Sequence, residues 1–133
     1  MNLIEIFTII IIHWFADFVI QTDKQAKGKS KNWNDLLSHT FSYSVVWFIL
    51  GFVLLLYNFN LEQKEFAVFA SNVILFTSIT LITHTATDYF TSRLNSKLWA
   101  EGKVHNFFIS VGFDQVLHYV QLFLTYRILA GKN

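Results

Sequence analysis

Three times in this chain a histidine and an aspartate stand four residues apart inside an apolar run. His13 and Asp17 lie in "IFTIIIIHWFADFVIQTD", His84 and Asp88 in "HTATDYFTSRL" directly after "ASNVILFTSITLIT", and Asp114 and His118, in inverted order, in "VGFDQVLHYVQLFLTY". Residues four apart share one face of an α-helix, so each pair points the same way. Imidazole with carboxylate is the ligand set of zinc, manganese and non-haem iron. It is equally the set from which proton relays are built at membrane depth. The chain has no cysteine, which excludes disulfides, thiolate ligands and a cysteine nucleophile and leaves the redox compartment unread.

Each pair belongs to a longer polar seam at helical spacing. The seams are His13, Asp17 and Gln21; Asp35, His39 and Ser42; His84, Asp88, Thr91 and Asn95; and Asp114, His118, Gln121 and Thr125. The elements that position them are four apolar segments, about 2–21, 35–57, 67–92 and 106–129, each near the ~20 residues needed to cross a bilayer. In hydrocarbon every backbone group must be bonded internally, so these segments are helices. Four seams meet only inside a bundle. The expected fold is therefore all-α, a single transmembrane domain over residues 1–133 made of four antiparallel transmembrane helices. A faint internal repeat joins "HWFADF" to "HTATDY", and "SKNWNDLLSH" to "SKLWAEGKVH" as Ser-Lys-x-Trp-x5-His, the pattern of a duplicated helical hairpin. "TSRLNSKLWAEGK" is expected to extend the third helix along the membrane surface before a turn near Gly102.

Composition agrees: 133 residues, 53% hydrophobic and 18% aromatic, with no proline, fit one compact membrane unit. A net charge of +1 excludes a broad nucleic-acid-binding face. The first segment lacks a basic leader and a small-residue cleavage site, so it reads as a mature helix. Lys24, Lys27, Lys29, Lys31, Arg93, Lys97 and Lys103 fall in the first and third loops, against Lys64, Arg127 and Lys132 on the other side. The positive-inside rule then makes loops 22–34 and 93–105 cytoplasmic, in a bacterial inner (cytoplasmic) membrane. "GKS" at 28–30 is not a phosphate-binding P-loop, because Asp23 stands where its first glycine belongs.

A carboxylate at membrane depth costs ~2.5–3.5 kcal/mol, and a divalent cation offsets that directly. The candidate metal ligands are His13, Asp17, His84, Asp88, Asp114 and His118, for one or two ions of zinc, manganese or iron. His39 and His118 are the candidate catalytic bases, and His105 and Arg93 further site candidates. A plainer account exists for each: a lone transmembrane histidine such as His39 or His105 is commonly an interhelical hydrogen bond, Asp35 reads as an N-cap, and Tyr43, Tyr89 and Tyr119 as packing residues. Three pairs in one short chain favour the site.

At these residues the sequence resembles the bacterial and phage membrane proteins grouped as domain of unknown function 3307. "HWFADFVIQTD", "HTATDYFTSRLNSKLW" and above all "HNFFISVGFDQVLHYVQLFLTY" carry the resemblance, over nearly the whole chain. It implies a small polytopic membrane protein with His13, Asp17, His39, His84, Asp88, His105, Asp114 and His118 as motif positions, and no particular reaction. A looser likeness is to membrane-bound metal-dependent hydrolases, on residue types alone.

Two functions follow from this reading. In one, the metal activates water against a lipid or lipid-linked ester or phosphoester at the cytoplasmic leaflet, with Lys29, Lys31, Arg93 and Lys97 holding an anionic head group. In the other, the seams conduct protons or metal ions as part of a transporter, which with four short helices requires a homo-oligomer. A non-catalytic accessory protein, its seams fixing helix register, is the third. The expected partners are membrane lipids.

Overall fold

The computed structural model describes residues 1–57 and 62–131, so Lys132 lies outside the described residues. Among these the chain is helical throughout: α1 (Leu3–Trp14) runs on into a π-helical turn (Phe15–Val19), followed by α2 (Asp23–Gly28), α3 (Trp33–Tyr57), α4 (Gln63–Ala100) and α5 (Val104–Leu129). Three of these, α3, α4 and α5, are long and apolar enough to cross a membrane. The segment expected as the first spanning helix is not among them. Its continuous helix, residues 3–19, has 17 residues and a length of ~25 Å, below the ~30 Å of a hydrocarbon core.

The ends are set by local chemistry. Asn2 caps α1 by accepting from the Glu5 N–H at 2.9 Å while Glu5 accepts from the Asn2 N–H at 2.9 Å, a reciprocal capping box. Thr22 and Gln25 do the same for α2. At α3 the capping residue is Asn32, which accepts from the Asp35 N–H at 2.8 Å and returns a bond from its amide to Asp35 Oδ2 at 2.8 Å. Asp35, expected as the N-cap, is thus its partner one turn in. Gly102 sits at φ 69°, a left-handed turn that suits glycine and reverses the chain into α5 where the sequence predicts.

α4 packs along both α3 and α5, the π turn packs on α3, α1 on α5 and α2 on α3. The start of α4 meets the end of α5 through the Asn72 amide on the Leu129 carbonyl at 3.1 Å. The extension of α4 continues without a break to Ala100, as expected from "TSRLNSKLWAEGK".

The interior is polar and the exterior apolar. His13, His39, His84, Asp88 and His118 are at most 2% exposed, whereas Ile4, Ile82, Phe90, Phe108 and Ile128 are more than 60% exposed. Buried apolar side chains form one cluster, Ile9, Ala16, Tyr43, Trp47 and Leu122, with Leu36 and Leu55 buried apart from it.

Candidate metal centre

Asp17 reaches the site because its helix changes pitch. The Ile20 N–H bonds the Phe15 carbonyl at 3.1 Å, an i→i+5 bond that adds a residue to the turn and re-aims the side chains it holds; such turns recur at functional sites. Asp17 Oδ1 lies 3.0 Å from His39 Nε2 on α3 and 3.5 Å from His84 Nε2 on α4. From α4, Asp88 Oδ2 is 3.2 Å from His39 Nε2 and 3.7 Å from His84 Nε2. The two imidazole Nε2 atoms are 3.3 Å apart. Asp17, His39, His84 and Asp88 therefore aim one donor atom each at one point, all within 4.8 Å of one another.

These separations have a chemical meaning. A tetrahedral ion with N and O ligands at ~2.0–2.1 Å has ligand–ligand edges of roughly 3.3–3.4 Å. Five of the six edges of the group run from 3.0 to 3.7 Å and the sixth, Asp17 to Asp88, is within 4.8 Å, a spacing at which the four atoms could hold a zinc-like ion. The supports are those of ligands as well. Gln21 Nε2 lies 3.0 Å from His39 Nδ1 and 3.2 Å from its Nε2, and Tyr43 stacks on the His84 ring with centroids 3.9 Å apart, a contact that orients the ring.

A second group abuts the first. His118 Nε2 stands 3.4 Å from both Asp88 Oδ1 and Asp114 Oδ1. Thr91 Oγ1 and Gln115 Nε2 donate to the two oxygens of Asp114.

The sequence candidates separate accordingly. Asp17, His84, Asp88, Asp114 and His118 come together, joined by His39. His13 is adjacent but turned away: Nδ1 bonds the Tyr43 hydroxyl at 2.8 Å, Nε2 bonds Gln115 Oε1 at 2.9 Å, and Asp17 is 3.9 Å off. Its two ring nitrogens are engaged, which makes it a brace for Tyr43 and Gln115. His105 is exposed at the start of α5. Arg93 lies with its guanidinium carbon 3.8 Å from the Tyr89 ring centre, beside Trp33, and donates to the Tyr89 carbonyl at 2.7 Å. That cation–π contact holds it at the rim.

Gln115 escaped the sequence reading, and Lys29, expected to hold a head group at the mouth, is drawn to Asp88. Gln115 is one position off the α5 seam, yet its amide bridges His13, Asp114 and, at 3.4 Å, Asp17. Lys29 turns inward, its ammonium 2.9 Å from Asp88 Oδ2. Burial works against that charge, but Asp88, Asp17 and Asp114 outweigh it and hold the Lys29 pKa above its ordinary value. Gly28 makes this possible: a Cβ there would clash with Asp35, whose own Cβ would be 2.8 Å away. Only a bare backbone lets the end of α2 approach α3 so closely, and a glycine directly before a lysine was the available signal.

The centre is closed on the side away from Lys29. The gap among Tyr43, Thr80, His84, His118 and Gln121 is too small for a water molecule. Beyond Trp47 lies an apolar cleft of about 420 Å³ lined by Ile9, Ile12, Leu50 and Phe76 among others, none of them a ligand candidate.

No curated protein and no solved structure shows significant similarity to the chain, so the looser likeness to metal-dependent hydrolases finds no support there. The model of the family described as protein of unknown function, DUF3307, matches residues 6–132, and with so much of its length covered the chain belongs to that family.

Proposed function

We propose that the chain is an integral membrane protein of the bacterial inner membrane whose bundle encloses a divalent metal centre, with Asp17, His39, His84 and Asp88 as ligands. The convergence of those four donors is the observation that carries the reading. An inside-out distribution of polarity supports the membrane setting: large apolar side chains facing outward are unfavourable in water and at home in lipid. The 17-residue first helix completes a four-helix bundle by tilting little and spanning a locally thinned bilayer.

The activity that fits best is metal-dependent hydrolysis of a lipid or lipid-linked ester or phosphoester from the cytoplasmic side. A bound ion would lower the pKa of its water toward neutrality and polarise the scissile group. Approach from the Lys29 side accords with this, since its ammonium lies 2.9 Å from Asp88 and a cation there suits an anionic head group.

Elemental analysis of detergent-purified protein tests the centre. Wild type should carry zinc, manganese or iron in stoichiometric amount and Asp88→Ala none. Metal-replete preparations that retain no ion, and whose melting temperature no divalent ion raises, would refute it. For orientation, a single cysteine at Lys27, which is exposed, should label only from the cytoplasmic side; the native chain has no cysteine to interfere.

A further inference from the structure

Asp88 presents its two oxygens to two different sets of side chains. Oδ2 faces His39 and His84, whereas Oδ1 lies 3.4 Å from His118 Nε2, which is itself 3.4 Å from Asp114 Oδ1. Asp88, Asp114 and His118 place one donor atom each within 4.8 Å of one another. Both 3.4 Å separations match the roughly 3.3–3.4 Å edge of a tetrahedron around an ion with ligands at ~2.0–2.1 Å. An independent observation points the same way. The His118 ring is 1% exposed and its Nε2 has no hydrogen-bond partner, an unfavourable state for a buried ring nitrogen. That nitrogen is aimed between two carboxylate oxygens, where a cation would satisfy all three atoms. Thr91 and Gln115 hold Asp114 in place from either side, as outer partners of a ligand do.

We infer that Asp88, Asp114 and His118 hold a second divalent ion, that Asp88 bridges it to the first, and that the pair takes a phosphate monoester in place of a carboxylic ester. The inference rests on the metal centre proposed above and deepens it. A bridging carboxylate suits ions ~3.5–4 Å apart, the spacing at which two metals clamp the attacking and leaving oxygens of an in-line displacement. Charge selects the substrate. Asp17, Asp88 and Asp114 carry one negative charge each and Lys29 one positive, so a single divalent ion brings the centre to neutrality. A second ion leaves two positive charges in excess, which a phosphoryl dianion matches and a neutral carboxylic ester does not. In the reaction a water gives up a proton and its oxygen bonds to phosphorus. The bond from phosphorus to the lipid-linked oxygen breaks, and that oxygen takes up a proton, giving an alcohol and inorganic phosphate. With a second ion in place His118 is a ligand, and the proton passes to another acceptor such as solvent on the Lys29 side.

The test is a manganese(II) titration of the full chain in detergent after chelator stripping, followed by electron paramagnetic resonance. Wild type should bind two ions with a spin-coupled signal at full loading, and should then bind inorganic phosphate. Asp114→Asn, and independently His118→Gln, should bind one ion with an uncoupled signal and hold phosphate at least tenfold more weakly; circular dichroism and monodisperse elution confirm that the variants are folded. One ion in wild type overturns the second site while leaving the first. Two uncoupled ions overturn the Asp88 bridge, and two coupled ions without phosphate binding overturn the substrate class. No ion in wild type overturns this inference and the proposed centre together.

Discussion

The two matched halves of the chain approach the site in different ways. In the first, helix ends at Val19, the chain doubles back through α2, and α3 starts at Trp33; His39 thereby returns to within 3.0 Å of Asp17. In the second, α4 continues twelve residues past Asp88 to Ala100, ~18 Å at 1.5 Å per residue, and His105 emerges exposed beyond the turn. The same Ser-Lys-x-Trp-x5-His motif thus places one histidine in the centre and the other outside it. The second half supplies its imidazole from deeper in α5, at His118. The matched positions do meet: Ser30 and Ser96 are hydrogen-bonded to each other at 2.8 Å, and Asp17 and Asp88 flank His39 at 3.0 and 3.2 Å. Helix length, more than motif, decides which histidine enters the buried cluster.

The strongest way to break that comparison is to remove each histidine in turn. His39→Ala takes away the ring between two buried carboxylates and should cost ~3–5 kcal/mol, the range for unpairing buried charge, along with the bound ion. His105→Ala should fall within ~0.5 kcal/mol of wild type, as exposed substitutions do, and keep the ion. Thermal melts and metal content measure both; equal effects would restore the equivalence of the halves.

A smaller change sharpens the role of the fold-back. Gly28→Ala forces a methyl group into Asp35 and should destabilise by ~1–3 kcal/mol, the usual cost of overpacking. It should also pull Lys29 from Asp88, which amine-reactive labelling of Lys29 followed by mass spectrometry would detect as faster modification. Unchanged labelling together with wild-type stability would remove α2 from the account of the site.

The helices and their polar seams were legible because period and length are properties of the local sequence. The bounds of α3 and α5 fall within a few residues of the apolar segments 35–57 and 106–129, and the three His/Asp pairs supplied five of the six residues in the two donor groups. What was hidden depends on departures from regular helix or on contacts distant in sequence. The π turn begins two residues after His13, and although both side chains still touch Gln115 only Asp17 enters the donor group, which an i, i+4 spacing that reads as one face does not reveal. Lys29 looked like a surface charge because the close packing of Gly28 on Asp35, which lets it turn inward, is a contact between separate helices. Gln115 lies a single position off its seam, and only the approach of α1 to α5 brings His13 within its reach.

The central claim is that the two halves share one centre, and Asp17 and Asp88 are the carboxylates that each contributes to it. A double-mutant cycle of Asp17→Asn and Asp88→Asn, read by metal content and thermal stability in detergent, tests this directly. Asp88→Asn should empty the centre and Asp17→Asn should remove the ion held with His39 and His84, and combining them should add little to the loss of stability, giving a coupling of ~1–3 kcal/mol as expected of residues in one network. Single mutants that each keep the full complement of metal, with losses that add to within ~0.5 kcal/mol, would contradict the shared centre.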